Sequence, residues 1–368
     1  MPDPARSPSR GTGLLEEVLH RRVEAVQRSL HEQGIGLFIA SERCSTYWLG
    51  HPRAPFVCIT PATAQAAGEA EVPGIIRRAG AVAVGVESGL AAGQLIGWQS
   101  QSGTGLRWRT MTGVMRNLRA VKDAVEVPLV ARAAELSARA LAALLHGPIP
   151  GRAEHELLAD YLAFLYDAGS DGEQAFDPSF ATGERTSLLW AGVSARRIGP
   201  GDPLTIDVGS VFRGYRSDVA RSAMVVEEAR NVTADWRQAF AAVRGALSGV
   251  LDACRPGVPL RHLASVCESE LDRRGHPGGL RHLLGHGVGL EAHELPVVSK
   301  EADRLLEPGM VMALEPSVFI RGRYGIRIEE TVLVTDDGCR ILSRPSQEET
   351  CPDGVITASD LMPRGALT

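Results

Sequence analysis

The sequence predicts an α+β fold in two parts, a small α/β domain followed by a larger domain in which one order of elements occurs twice. Three observations predict it. The 368 residues exceed the length at which a single hydrophobic core usually keeps growing. Short apolar runs separated by Gly and Pro alternate with helical periodicity in the first third of the chain. Two helix pairs, each followed by strand-like segments, then follow one another.

The start MPDPARSPSRGTG is rich in Pro, Ser and Arg, and residues 1–13 read as an unstructured tail. The small domain is expected over 14–120: Leu14 to Gln33 has helical periodicity, and GLFIAS, PFVCIT and AVAVGVE read as short strands. The larger domain is expected over 121–345. Glu126 to His146 is an Ala- and Leu-rich helical stretch, and Ala153 to Ala168 is a second one closed by Gly169. Strand-like segments run to about Val226. Thr233 to Cys254 and Pro259 to Arg274 repeat the helix pair, and GMVMALEPSVFI and GIRIEETVLVT repeat the strands. The duplication lies in the order of elements, without a letter-by-letter repeat. Residues 346–368 form a patternless tail.

Hydrophobic residues make up 44% and charged residues 23%, enough apolar content for a real core. The net charge of -5 and the lack of a Lys/Arg run argue against a nucleic-acid partner. No apolar stretch approaches the roughly 18 residues of a membrane helix, and the N-terminus lacks the apolar centre of a signal peptide. The expected address is therefore the cytosol. Cys44, Cys58, Cys254, Cys267, Cys339 and Cys351 are scattered without a CxxC pair, so they read as reduced thiols rather than a zinc knuckle or disulfide framework.

The chemistry concentrates in the larger domain. In PLTIDVGSVFRGYRSDVARSAMVV, alternating apolar segments flank a turn containing Gly214, the pattern of a β-hairpin. With the turn centred between Phe212 and Arg213, Asp207 and Asp218 face each other directly across the strands. Two opposed carboxylates call for a cation between them. The hairpin taken alone favours a plainer reading, in which each aspartate caps a turn or lies on a solvated face, and the later motifs shift the balance. LLGHGVGLEAHE adds His286 and His293 in a segment broken by glycine, where backbone can approach a site closely, and His282 just before it makes three histidines in twelve residues. Glu315 and Glu329 each interrupt an apolar strand pattern, where an unpaired charge is costly. Strand alternation puts Arg327 on the face of Glu329, and Glu330 on the opposite one.

The ordered set IDVGSVFRGYRSDVARS, GHGVGLEAHE, EPGMVMALEP and GIRIEETVLVT resembles the metal-site signature of the creatinase and Xaa-Pro peptidase family. MRNLRAVKDAVEVPLVARAAEL resembles the junction of that family's small and catalytic domains, the latter having the duplicated "pita-bread" fold. The resemblance covers most of the chain. It implies two divalent ions held by Asp207, Asp218, His286, Glu315 and Glu329, with Asp218 and Glu329 bridging. Such an oxygen-rich set suits Mn²⁺ foremost, with Co²⁺, Fe²⁺ or Zn²⁺ as alternatives. It also implies that His282 and His293 touch substrate, that Glu315 passes a proton to the leaving nitrogen, and that Arg327 supports the ligands. The substrate implied is a small molecule or short peptide, Xaa-Pro dipeptides being the family default, and a homodimer is the family expectation. Trp190 and Tyr215 are expected in the substrate pocket.

One position departs from the family. Trp190 stands seventeen residues before Asp207, where the family carries a histidine after a proline. An indole offers one N–H donor and relays no proton. This departure favours a specialised, creatinase-like reaction on a small metabolite as the second reading, and a catalytically silent binding module as the third. The five retained ligand positions weigh against the module. A serine hydrolase lacks its GxSxG elbow here, and GHGVGL lacks the setting of a dinucleotide loop.

Overall fold

The computed structural model of the protein describes residues 10–103, 105–172, 174–280, 283–344 and 353–357. They fall into two compact units, divided between Val125 and Glu126.

In the first unit α1 (Arg10–Gln33) begins four residues before the expected Leu14, because Gly11 and Gly13 disguise its first turn as tail. There follow β1 (Leu37–Ala40), α2 (Arg43–Trp48), β2 (Phe56–Ile59), β3 (Ala64–Ala67), α3 (Val72–Ala79), β4 (Ala83–Val86), α4 (Ala92–Ser102), β5 (Arg107–Thr110) and α5 (Thr112–Arg119). The sheet order is β3-β2-β1-β4-β5. Strands β1, β4 and β5 run parallel, and β2 and β3 antiparallel to their neighbours. β1, β2 and β4 are buried along their whole length, which is why they read as unbroken apolar runs. Leu37, Ile39, Phe56, Val84 and Trp98 form the core of this unit.

The second unit opens with α6 (Glu126–Leu145), α7 (Glu154–Ala168), β6 (Ser179–Thr182), β7 (Pro203–Val208), β8 (Val211–Phe212), β9 (Tyr215–Arg216) and β10 (Val219–Val226). Its second half repeats the order with α8 (Ala234–Ala253), α9 (Leu260–Arg273), β11 (Gly285–Gly287), β12 (Glu294–Val298), β13 (Val311–Leu314), β14 (Ser317–Ile320), β15 (Tyr324–Arg327), β16 (Glu330–Val334) and β17 (Cys339–Ile341). Strand β18 (Val355–Thr357) pairs parallel with β10. The first half contributes the sheet β18-β10-β7-β6 and the second the sheet β12-β11-β13-β16-β17. Helices α6 and α7 bury Leu136, Leu141, Leu157 and Leu165 against Phe180, Ile206 and Val225 of the first sheet. No described helix is long and apolar enough to cross a membrane.

Two local features position the site. The β7–β10 hairpin pairs Asp207 with Ala220, and β8–β9 continues that register with Phe212 opposite Tyr215. The turn is therefore centred between Arg213 and Gly214, one residue beyond the expected centre. Its two central residues have φ of 48° and 78°, as a two-residue hairpin turn demands. Asp207 and Asp218 are consequently diagonal neighbours rather than directly opposed. Because the slip in pairing is two residues, both still point to the same face.

The second feature is a hairpin broken at its glutamates. GMVMALEPSVFI and GIRIEETVLVT each form two strands, with β14 and β15 leaving the main sheet as a separate ribbon. Leu314 pairs with Glu330 below the break, and Ser317 with Arg327 above it. The register is continuous across the break, so Glu315 and Glu329 occupy opposed positions within it.

Candidate metal centre

The two halves meet where β10 and β16 approach. Glu329 N donates to Ala220 O at 3.0 Å, and Thr331 Oγ1 donates to Asp218 O at 2.6 Å while accepting from Asp218 N at 3.2 Å. These bonds bring the diagonal aspartates of one hairpin against the opposed glutamates of the other. Asp207, Asp218 and Glu329 offer ligand atoms within 4.8 Å of one another, as do His286, Glu315 and Glu329, and also Asp218, His286 and His293. Asp218, His286 and Glu329 each belong to two of these groups.

His286 is delivered by tight backbone packing. β11 lies between β12 and β13, with His286 paired to Val297 on one side and Ala313 on the other. A Cβ on Gly285 would lie 2.0 Å from Ala313 O, and one on Gly287 would lie 2.1 Å from Leu295 O. Only glycine allows the flanking backbones so close. His286 Nδ1 lies 3.2 Å from Gly287 O, so Nδ1 carries the hydrogen and Nε2 presents its lone pair inward. Nε2 is 3.7 Å from both Asp218 Oδ2 and Glu315 Oε1. Burial, with a smaller push from His293, lowers the imidazole to about 4, which keeps it neutral at neutral pH.

The carboxylates are under the opposite stress. Asp218 is 3% and Glu329 1% exposed. Burial first, then the charges of Asp207 and Glu315, raise Asp218 well above the usual carboxylate range. Glu329 is raised likewise by burial and by Asp218, Asp207 and Glu315. Glu315 is pushed up to about 7 by burial and Asp207, against the pull of Arg327. Asp218 Oδ1 and Glu329 Oε2 are buried without any hydrogen-bond partner. Buried, unpartnered carboxylate oxygens in a cluster of four acids fit divalent cations, which satisfy both charge and coordination. The residues present thus fit the metal that the donor set implies.

Arg327 is the cluster's internal cation. It donates from Nη1 to Asp207 Oδ2, and Nη2 lies 3.3 Å from Glu315 Oε2. Burial alone would weaken its charge, but Asp207, Glu315 and Glu329 outweigh that and raise its affinity for the proton. Ser222 Oγ accepts from Arg327 N at 2.9 Å and Ser317 Oγ from Arg327 Nε at 3.3 Å, fixing the side chain. Glu330 points away from the cluster to Arg221, Ser343 and Arg344, as alternation requires.

His293 stands exposed at the mouth, its ring centroid 4.2 Å from that of His286. Trp190 reaches the same mouth through Phe176, whose ring is 6.2 Å from both Trp190 and His293. His282 lies outside the described residues. Tyr215 is a correction: it is 2% exposed and donates to Glu126 Oε1 of α6 at 3.0 Å. On β9 it has the parity opposite to Asp218, so it faces the helix layer and not a substrate pocket. Sequence reading missed Thr331, Ser222 and Phe176. The hydroxyls carry no sequence signal because they act through backbone groups, and Phe176 lies in a loop without periodicity.

A buried four-carboxylate, one-imidazole cluster at the seam of a duplicated α+β unit defines a metal-dependent hydrolase. Residues 129–336, more than half of the chain, match metallopeptidase family M24, and the chain belongs to that family, as a metal-dependent peptide hydrolase. It is 29% identical over 265 residues to the Xaa-Pro dipeptidase of Pyrococcus furiosus, spanning 72% of this chain and 74% of that one. It is 32% identical over 228 residues to the probable dipeptidase PepE of Mycobacterium tuberculosis, spanning 62% and 59%. Its fold is that of the solved Xaa-Pro dipeptidase from Bacillus anthracis, with a TM-score of 0.83 over 90% of this chain and 99% of the other at 24% identity. That is the pita-bread fold expected from the sequence.

Proposed function

We propose that this metallopeptidase cleaves Xaa-Pro dipeptides with two divalent ions, Mn²⁺ foremost, as a homodimer in the cytosol. The observation that supports the two-ion reading is the overlap of the ligand groups: Glu329 belongs both to the group with Asp207 and Asp218 and to the group with His286 and Glu315. Asp207 completes one side and His286 with Glu315 the other. Four carboxylates against Arg327 leave three net negative charges, which two dications offset to within one. The names of the relatives in Pyrococcus furiosus and Bacillus anthracis support the prolyl substrate.

Two ions in such a site supply Lewis acidity, acidifying water and polarising the scissile carbonyl. The protein's own groups do the rest. Glu315, held at Oε2 by Arg327, is the group that takes a proton from water and returns it to the leaving nitrogen. The C–N bond breaks as the O–C bond forms, and that nitrogen leaves as the amine. Partial desolvation at the mouth lowers His293, so at neutral pH it meets substrate as a neutral imidazole able to accept or donate one hydrogen bond. Arg327 holds Asp207 and Glu315 in place and leaves their other oxygens free to coordinate. Gly-Pro and Ala-Pro hydrolysis with added Mn²⁺ tests the reading. Turnover that follows metal loading supports it, and a fully loaded protein without turnover on any Xaa-Pro dipeptide overturns the substrate assignment.

A further inference from the structure

Leu188, Leu189 and Trp190 are three consecutive large apolar side chains, 54%, 54% and 48% exposed. Such a run on a soluble surface calls for an explanation. It lies at the mouth of the metal centre, because the rings Trp190, Phe176, His293 and His286 follow one another at 6.2, 6.2 and 4.2 Å. The tilted and edge-on geometries fall in the range in which aromatic rings attract.

The loop that carries Trp190 is anchored to the fold. Glu154, fully buried at the start of α7, accepts from Thr182 N and Ser194 N at 2.8 Å each, from Ser194 Oγ at 2.6 Å and from Arg185 Nη1. Arg185 Nη2 in turn donates to Ala191 O at 2.6 Å, and Gly192 O accepts from Phe180 N at 3.1 Å. The backbone on the C-terminal side of Trp190 is therefore fixed by a buried ion pair and by a strand. An exposed indole on a braced backbone is preorganised, so little ordering cost falls on a ligand that covers it.

We propose that Trp190, with Phe176, is the specificity-determining wall of the site and selects peptides with a large apolar or aromatic side chain beside the scissile bond. The inference rests on the peptidase reading above and deepens it. The occupant is a substrate side chain because the ring series leads without interruption from Trp190 through Phe176 and His293 to His286. Two carbon-rich surfaces brought together release water from each, and a ring laid on Trp190 gains stacking as well.

The test compares Mn²⁺-loaded wild type with Trp190→Ala and Trp190→Phe on Gly-Pro, Leu-Pro, Phe-Pro and Leu-Ala. Wild type is expected to favour Phe-Pro and Leu-Pro over Gly-Pro in kcat/KM. The preference should fall about tenfold in W190A, mainly through KM, and recover largely in W190F; tenfold corresponds to roughly 1.4 kcal/mol. Titration of the loaded protein with Phe-Pro should quench tryptophan emission in wild type more than in W190F. Turnover with the same preference in wild type and W190A overturns the inference and leaves the peptidase reading intact. Absence of turnover together with Trp190-dependent quenching by Phe-Pro overturns the prolyl-peptidase reading and upholds the wall. A W190A protein that loses self-association without any change in preference assigns the apolar run to a second copy of the chain, and also overturns the proposal.

Discussion

Glu315→Gln is predicted to change stability in opposite directions with and without divalent metal. In the metal-free protein, burial and Asp207 raise the Glu315 carboxyl from 4.5 to about 7. A group raised on folding contributes stability that is complete below its unfolded value and is lost as pH rises through the folded one. The metal-free protein should therefore lose stability between about pH 4.5 and pH 7, with Asp218 and Glu329 acting in the same direction. At roughly 1.4 kcal/mol per pH unit, the Glu315 contribution is on the order of 3 kcal/mol. Glutamine keeps the shape and an acceptor for Arg327 but cannot ionise, so it removes that loss. For a unit of this size a kilocalorie moves the melting point by about 2–4 °C, and metal-free E315Q should melt about 5 °C or more above metal-free wild type near pH 8. With Mn²⁺ the order reverses, because the loaded wild type keeps a charged ligand that the amide lacks. Melting curves with chelator and with Mn²⁺, taken across this pH range, read both signs. Equal destabilisation of both forms by E315Q would refute the picture of repelling carboxylates held apart by metal.

Gly285→Ala and Gly287→Ala each drive a methyl to about 2 Å from a neighbouring carbonyl oxygen, so either should cost several kcal/mol and strip metal by displacing His286; melting and bound-metal assays check both. Thr331→Val leaves Asp218 N and O without their hydroxyl partner, at a cost of about 1–3 kcal/mol, and should weaken metal binding without abolishing the fold. Arg327→Met leaves Asp207 and Glu315 without their buried partner; it should destabilise the metal-free protein by about 3–5 kcal/mol in denaturant titrations, with a smaller effect once metal is bound. Trp190→His restores an imidazole at the mouth and should raise Gly-Pro turnover by about tenfold or more, since a placed acid or base is worth roughly 10²–10⁴; unchanged turnover would mean that the position exchanges no proton with substrate.

The candidate ligands were legible for two reasons: Glu315 and Glu329 are charged residues interrupting an apolar strand pattern, and Asp207 and Asp218 are carboxylates brought to one face by a recognisable hairpin. The repeated order of helix pair and strands was legible because periodicity is local. What failed was geometry set by turns and breaks. The hairpin centre moved by one residue because the Arg213–Gly214 pair adopts positive φ, and only the glycine hinted at it. The division of GMVMALEPSVFI and GIRIEETVLVT into paired half-strands was not read: Pro316 marks the break in the first segment, but the second carries no breaking residue, and its break arises where two sheets diverge. Tyr215 was expected in the substrate pocket, while strand parity sends it to Glu126. Thr331 and Ser222 act on distant backbone groups, and Glu154 pairs with Arg185 thirty-one residues away, which no local pattern can display.

The most direct test is the number of Mn²⁺ ions bound per chain, measured by plasma mass spectrometry on dialysed wild type and Glu329→Gln: sharing of Glu329 between two ligand groups predicts about two for the wild type and one or fewer for the variant, whereas a wild type that binds no divalent ion at saturation would contradict the account.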